Sequence, residues 1–233
     1  MQKNIITETA RELLDLIYPR LCAGCSTTLV KQEEHICTRC LYMLPKTNFH
    51  KDRHNPMEQL FWGRVRIEAA AAMYYFERAS KCRRILHHIK YRGKKELAHY
   101  LGALYGIELA GCRLLSEADL LLPVPLHHLR QRKRGFNQSE WFAGGLASGM
   151  GKELAADVLV RFEGTETQTR RSRLQRWENV ENCFSVDKPE KVTGKHVILV
   201  DDVVTTGATL EACASALLRG RGVRVSILTI AYA

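Results

Sequence analysis

The feature that most constrains this chain is the stretch Val197-Ile-Leu-Val-Asp-Asp-Val-Val-Thr-Thr-Gly-Ala-Thr-Leu210. Its first four apolar residues, rich in β-branched types, predict a buried central strand that ends at Asp201 and Asp202. A Thr/Gly loop and an alanine-rich helical pattern follow. In open parallel sheets, ligands bind just beyond the carboxyl ends of the strands. The stretch therefore predicts a parallel α/β sheet in which two carboxylates and a hydroxyl-rich loop lie beside a ligand.

The loop after Asp202 has the composition of an anion site. Its backbone N–H groups and hydroxyls can face an anion at the positive end of the following helix. Gly207 allows a positive φ and a close approach of the backbone to the ligand. The loop suits a phosphate, and the carboxylates suit hydroxyls or a hard cation. The alternative is that the aspartates cap a helix and the threonines form an ordinary turn.

Composition sets the broad class of protein. The chain has 233 residues, enough for one core and a small satellite domain. Its 45% hydrophobic and 26% charged residues are typical of soluble globular proteins. The formal charge of +10 favours polyanionic partners, although many basic proteins bind no nucleic acid. We expect a cytoplasmic protein without membrane insertion, because no apolar run approaches about 18 residues and the start shows no signal-peptide pattern.

Four of the eight cysteines form two Cys-x-x-Cys pairs, Cys22 with Cys25 and Cys37 with Cys40. Two such turns can present four thiolates tetrahedrally to one Zn²⁺, and the metal then supplies the core that so short a segment lacks. The alternatives are a redox pair, two disulfides or four unliganded thiols, and a reducing compartment favours the metal. This zinc would be structural, because four protein ligands leave no open position for catalysis.

The pattern along the chain predicts three parts. Residues 1–50 comprise an amphipathic helix over 5–18 followed by the four-cysteine zinc ribbon. Residues 51–64 are polar, contain Pro56 and break both periodicities, so they are interpreted as a linker. Residues 65–233 form the sheet domain.

A basic helix is predicted over residues 81–95, which contain seven Lys or Arg and no acid. An apolar stripe gives this helix one buried and one basic face. The basic face could follow a nucleic-acid backbone, or it could be an ordinary solvated surface. The candidate nucleic-acid residues are Lys90, Arg92, Lys94 and Lys95.

A second strand end carries a cluster of basic residues. Leu120 to Leu122 predict a short buried strand, and Pro123 and Pro125 predict an extended exit from it. Arginine guanidinium groups bind phosphate oxygens in bidentate fashion, so the cluster suits a pyrophosphate. Surface charge is the alternative. The cluster consists of Arg130, Arg132, Lys133 and Arg134, and it precedes a helix capped by Asn137.

Several motifs together resemble a known family. The stretch 197–210 is similar to the phosphoribosyl-pyrophosphate (PRPP) signature of type I phosphoribosyltransferases. The whole chain resembles the ComF family of competence-associated phosphoribosyltransferase-like proteins. The motifs that carry this resemblance are the cysteine pairs, Lys90-Tyr91-Arg92-Gly93, Pro123-Val124-Pro125, Arg134-Gly135-Phe136-Asn137-Gln138 and the PRPP signature.

The resemblance implies a doubly wound, mostly parallel sheet of the type I phosphoribosyltransferase kind behind the zinc ribbon. It implies that PRPP binds with Mg²⁺, that Asp201 and Asp202 act as catalytic residues holding the ribose hydroxyls, and that the loop 163–182 closes over the ligand. The PRPP-binding residues would be Val124, Pro125, Leu126, Arg134, Asp201, Asp202, Val203, Val204, Thr205, Thr206, Gly207, Ala208 and Thr209.

Two functions remain open from the sequence. The first is Mg²⁺-dependent phosphoribosyl transfer, in which no residue identifies the acceptor. The second is a non-catalytic module that binds single-stranded DNA through the basic helix and the zinc ribbon, with the PRPP site used for sensing or scaffolding. The family's association implies a role in DNA uptake during natural competence, together with other DNA-uptake proteins.

Overall fold

The computed structural model of the chain describes residues 18–77, 80–162 and 183–233. Apart from Tyr18, the predicted N-terminal helix lies outside the described residues, and so does the predicted loop 163–182.

Within the described residues, five strands form one parallel sheet and two more form a small antiparallel pair. The strands are β1 (Ala70–Tyr75), β2 (Leu120–Pro123), β3 (Glu153–Leu154), β4 (Leu159–Arg161), β5 (Phe184–Val186), β6 (His196–Val204) and β7 (Arg224–Tyr232). The parallel sheet has the order β1-β7-β6-β2-β3, and β4 pairs with β5. The predicted fold class is confirmed.

Eight α-helices occur in the described part of the chain, and two short 3-10 helices cover Phe49–Lys51 and Pro189–Lys191. The α-helices are α1 (Thr38–Met43), α2 (Pro56–Gln59), α3 (Lys81–Tyr91), α4 (Lys95–Leu109), α5 (Arg113–Ser116), α6 (His128–Arg134), α7 (Gln138–Met150) and α8 (Ala208–Leu218).

Strand β6 lies at the centre of the sheet, between β2 and β7. Its residues Val197 to Val200 are completely buried, as expected of a strand covered on both faces. The predicted strand end at Asp201 and Asp202 is wrong, because β6 continues to Val204. The neighbouring strand β7 is equally long and extends the ladder of backbone hydrogen bonds to the pair Val204 and Tyr232.

Helix α7 packs on the sheet and crosses α4 at a contact lined by glycines. A Cβ atom at Gly102, Gly106, Gly145 or Gly149 would lie within 2.8 Å of backbone atoms of the other helix. The two backbones therefore approach to a distance that a side chain at these positions would prevent. This crossing fixes α7, which begins beside the carboxyl ends of β2 and β6.

The segment between the cysteines and the sheet is packed onto the sheet. The Tyr75 N–H donates to the Pro45 carbonyl at 2.8 Å, and the Thr47 N–H donates to the Met73 carbonyl at 3.2 Å, so this segment extends the edge of β1. The predicted linker 51–64 contains α2, and its residues Met57 and Phe61 are fully buried. The division into domains at residues 51–64 stays a prediction.

The basic helix is shorter than predicted. Helix α3 ends at Tyr91, and Gly93 adopts a φ of +67°, which breaks the helix. Lys95 already belongs to α4. Among the described residues, no helix combines the length and the apolar character that crossing a bilayer requires.

Candidate functional site

A cavity of about 550 Å³ lies at the carboxyl ends of β2 and β6. Its wall comes from the exit of β2, the end of β6, the loop before α8 and one face of α3. The lining residues include Val124, Pro125, Leu126, Arg134, Ser139, Asp201, Asp202, Val203, Thr205 and Thr209. The structure thus brings together two strand ends that lie far apart in sequence, as the parallel topology predicts.

Asp201 is held in place at the cavity by two hydrogen bonds to its Oδ1 atom. The Ser139 hydroxyl donates to it at 2.8 Å from the first turn of α7, and the Asp202 N–H donates at 2.8 Å. Burial, and next the charge of Asp202, raise the pKa of Asp201 to about 7. The Asp201 carboxyl therefore changes its protonation state near neutral pH.

Asp202 forms an ion pair with Lys90. The Lys90 Nζ atom lies 3.0 Å from Oδ1 and 2.9 Å from Oδ2 of Asp202. Lys90 is one of the predicted nucleic-acid residues, but α3 turns it into the cavity. Arg92 and Lys94 are exposed beyond the end of α3, and the Lys95 ammonium lies 4.5 Å from the centre of the Trp141 ring. The four predicted nucleic-acid residues therefore have different surroundings in the structure.

Several basic residues also line the cavity and form its basic wall. Arg134 lies at the end of α6, where its guanidinium donates to the Gln138 Oε1 atom at 2.8 Å and lies 5.6 Å from the centre of the Tyr91 ring. Helix α6 was not predicted, because the two prolines indicated an extended exit. The basic residues on the wall are Arg83, Lys90, Arg130, Arg134 and Arg161.

Arg83 and Arg161 are site residues that sequence reasoning missed. Arg83 precedes Lys90 by two helical turns, so the helical period of α3 could have placed both on one face. Arg161 lies on β4, and its guanidinium packs over the Phe184 ring at 5.2 Å. Phe184 itself is buried at the start of β5.

The loop before α8 has the conformation expected of an anion-binding loop. Gly207 has a φ of +75° and caps α8, whose first residue is Ala208. Thr205 and Thr209 line the cavity. The predicted binding residue Val204 has its side chain in the core, where it is 1% exposed.

Arg64 and Phe61 support the loop from behind. The Arg64 guanidinium donates to the Thr206 carbonyl at 2.8 Å and forms an ion pair with Glu211 in the first turn of α8. The Phe61 ring lies under Gly207, so close that a Cβ atom there would be 3.0 Å from it. The contacts of Arg64 were not predicted, because its segment was interpreted as a linker.

The four cysteine sulfurs form a compact cluster. All four Sγ atoms lie within 4.8 Å of one another, and Cys25 Sγ lies 3.7 Å from Cys37 Sγ. The N–H groups of Gly24 and Cys37 donate to the Cys22 sulfur at 3.3 and 3.2 Å. Four soft donors at these separations fit one tetrahedral Zn²⁺, and all four cysteines are free thiols rather than disulfides.

The neighbouring His35 is not part of this cluster. Its ring instead contacts the Tyr100 ring edge-on, at 5.4 Å between the centres.

Comparison with known proteins assigns the chain to a protein family. The model of the phosphoribosyl transferase domain matches residues 103–233, more than half of the chain. The chain therefore belongs to the phosphoribosyl transferase domain family.

Its relatives narrow this assignment. The DNA utilization protein YhgH of Escherichia coli K12 is 29% identical over 211 residues, which cover 89% of this chain and 88% of that protein. Competence protein ComFC of Bacillus subtilis is 26% identical over 91% of this chain and 83% of its own length. Competence protein F of Haemophilus influenzae is 39% identical over 111 residues, 47% of this chain and 48% of that protein. The predicted membership of the ComF family is confirmed.

Proposed function

We propose that the cavity binds PRPP together with Mg²⁺. The observation that carries this proposal is the position of Asp201 and Asp202, which follow the buried part of the central strand. They line the same cavity as the basic wall and the loop from Thr205 to Thr209, named the phosphate loop. A phosphorylated sugar with a pyrophosphate group carries hydroxyls and two separated anionic groups, and this cavity offers a complement to each.

Each part of PRPP has a matching part of the cavity. Asp201 and Asp202 accept hydrogen bonds from the ribose hydroxyls, and the loop from Thr205 to Thr209 holds the 5′-phosphate at the start of α8. Arg134 and Arg130 hold the pyrophosphate. The carboxylates and the phosphate oxygens are hard oxygen ligands of the type that Mg²⁺ prefers, and Mg²⁺ would neutralise the charge of the pyrophosphate leaving group.

The same arrangement supports phosphoribosyl transfer. An acceptor would attack C1 of the ribose as pyrophosphate leaves, and positive charge would develop on the sugar ring beside Asp201 and Asp202. The acceptor itself is the open part of this proposal.

A second candidate function is the handling of single-stranded DNA in the cytoplasm, with other DNA-uptake proteins as partners. The names of the relatives, DNA utilization and competence proteins, favour it. Exposed Arg92 and Lys94 follow α3, and Tyr91 is 60% exposed and available for stacking on a base. The cysteine cluster would hold a structural Zn²⁺ in this module.

Calorimetric titration with PRPP and Mg²⁺ tests the binding site. We expect a double variant, Asp201→Asn with Asp202→Asn, to lose at least about tenfold in affinity, because each charged acceptor contributes about 1.5 kcal/mol or more. Asp157→Asn is the control, since Asp157 pairs with Lys191 on the surface away from the cavity. Equal PRPP affinity of the double variant and the control would show that the site is wrongly assigned.

Catalysis and DNA binding need separate measurements. Pyrophosphate release from PRPP is measured with nucleobases and with ammonia as acceptors, and no release with any acceptor would favour the binding module.

For DNA, we expect Arg92→Glu with Lys94→Glu to weaken the binding of a single-stranded oligonucleotide more than the control Arg219→Glu with Arg221→Glu, which makes the same charge change at another exposed site. Equal losses would mean that only net charge matters.

A further inference from the structure

The contact between Arg64 and the phosphate loop fixes the direction of one peptide group. The Arg64 Nη1 atom donates to the Thr206 carbonyl at 2.8 Å. A trans peptide is planar, and its C=O and the following N–H point in opposite directions. Since the carbonyl faces Arg64, which lies behind the loop, the N–H of Gly207 faces the opposite side. Thr205 and Thr209 line the cavity on the front of the loop.

Gly207 does not fix this orientation by itself. It has a φ of +75°, and glycine populates positive and negative φ about equally well. Rotation of the peptide between Thr206 and Gly207 would turn a carbonyl oxygen, instead of an N–H, toward an anion in the cavity. An anchor outside the loop is therefore needed to keep the N–H aimed at a phosphate.

Arg64 is well suited to be that anchor. Its guanidinium also donates to the Leu60 carbonyl at 2.9 Å and forms an ion pair with Glu211. The side chain is 26% exposed and that of Glu211 is 18% exposed, so water competes only weakly for these contacts. Fully buried Phe61 closes the space beneath Gly207. The guanidinium thus joins three elements, namely the segment after α2, the loop and the first turn of α8.

We propose that Arg64 is a positioning residue that holds the Gly207 N–H toward the 5′-phosphate before the ligand arrives. This inference rests on the proposed function, because it assumes that the loop binds the 5′-phosphate of PRPP. It assigns a role to the segment interpreted from sequence as a linker. It also predicts different effects on the two anionic groups of PRPP, because Arg64 contacts the loop and does not line the cavity wall that carries Arg130 and Arg134.

The test uses ribose 5-phosphate as a probe of the loop and inorganic pyrophosphate as a probe of the basic wall. Binding of each is measured by calorimetry for wild type, Arg64→Met, Arg64→Lys and the control Lys46→Met, which removes an ion pair with Glu108 elsewhere. We expect Arg64→Met to weaken ribose 5-phosphate about tenfold or more and pyrophosphate less than about twofold. Arg64→Lys keeps one donor for the Thr206 carbonyl, and we expect an intermediate loss. The control should change neither affinity.

The outcomes separate the two proposals. If the wild type binds ribose 5-phosphate and Arg64→Met binds it equally well, the positioning role is wrong while the proposed function stands. Equal losses of both probes in Arg64→Met and Arg64→Lys would also overturn it, because a general structural defect would then be the cause. If the wild type binds neither probe, the proposed function fails, and the role of Arg64 fails with it.

Discussion

The cysteine cluster and the strand-end cavity are two sites of the same chain that differ in what holds them together. The segment around the cluster contributes few apolar side chains to the core, among them Leu29, Ile36 and Leu44. The cavity lies on a sheet whose strands β6 and β7 are almost completely buried. We therefore expect a metal held by the four cysteines to supply much of the stability of this segment, whereas the cavity is built by the fold itself.

The two sites also differ in where their members come from. The cysteines belong to one short segment, and their spacing alone brings them together. The cavity takes Asp201 from β6, Ser139 from α7 and Lys90 from α3, so only the folded sheet brings these groups together. A defect in the sheet should therefore disturb the cavity, whereas loss of the metal should remain largely local.

Removal of the metal is the first and largest test of this difference. We expect Cys37→Ser, or chelation of the wild type, to unfold the segment over residues 18–44, because structural zinc contributes about 10 kcal/mol or more to small modules of this kind. Bound zinc measured by atomic absorption should fall from one to none per chain. Limited proteolysis should then cut this segment first, while the far-UV signal of the sheet persists.

Cys112→Ser serves as the control for this experiment. Cys112 lies outside the cluster, and its thiol donates to the His50 carbonyl at 3.2 Å, a bond that a serine hydroxyl can also make. It should keep the full zinc content. Cooperative unfolding of the whole chain after zinc loss would show that the sheet depends on the cluster, against the distinction drawn above.

The glycine-lined crossing gives the second test, on the side of the cavity. A Cβ atom at Gly145 would lie 2.0 Å from the His99 carbonyl oxygen, so Gly145→Ala must force α4 and α7 apart. We expect a loss of about 1–3 kcal/mol or more in the free energy of unfolding, measured in urea. PRPP affinity should fall as well, because α7 positions Ser139.

Gly144→Ala is a matched control, one residue away on the same helix. Its Cβ atom would meet His99 and Leu154 side chains at 3.6 and 3.8 Å, which are ordinary contacts. Alanine should therefore be neutral or stabilise α7 by up to about 1 kcal/mol. Similar losses for both variants would mean that the close crossing is not what limits stability.

These contrasts explain which features could be predicted from the sequence. The cysteine cluster, β6 and Asp201 were predictable, because local spacing and hydrophobic runs carry that information. The pairing of Lys90 with Asp202 was not, since α3 presents a basic face whose direction depends on tertiary packing. The contact of Arg64 with the Thr206 carbonyl was hidden for the same reason, because the two residues are distant in sequence.

The third test, with a smaller expected effect, asks whether the cavity without ligand already raises the pKa of Asp201. Burial and the charge of Asp202 raise its pKa from an ordinary value of 3.8 to about 7. Protonation of Asp201 in the native state therefore contributes to the free energy of unfolding. This contribution is fully present below pH 3.8 and is lost as the pH rises to about 7. Asn at this position does not titrate, so Asp201→Asn should raise Tm relative to wild type more at pH 8 than at pH 5.

Thermal unfolding without Mg²⁺ or PRPP, at both pH values, provides the measurement. The variant compared with wild type at pH 5 serves as the internal control, because most of the native wild-type carboxyl is already protonated there. A Tm difference that is unchanged between pH 5 and pH 8, or larger at pH 5, would contradict the raised pKa.

We expect the smallest loss of stability from removing the hydrogen bond between Arg84 and Gly24, which connects α3 at the cavity with the cysteine segment. Arg84 on α3 donates to the Gly24 carbonyl, between the first two cysteines, at 3.2 Å. The arginine is largely exposed, so we expect Arg84→Met to cost less than about 1 kcal/mol and to lower Tm by no more than about 4 °C. The control Arg113→Met removes an exposed ion pair with Glu117, and we expect it to lower the free energy of unfolding and Tm by similar amounts. If Arg84→Met alone also accelerates zinc loss to a chelator and weakens PRPP binding, then α3 couples the cluster to the cavity, and the two sites are not independent.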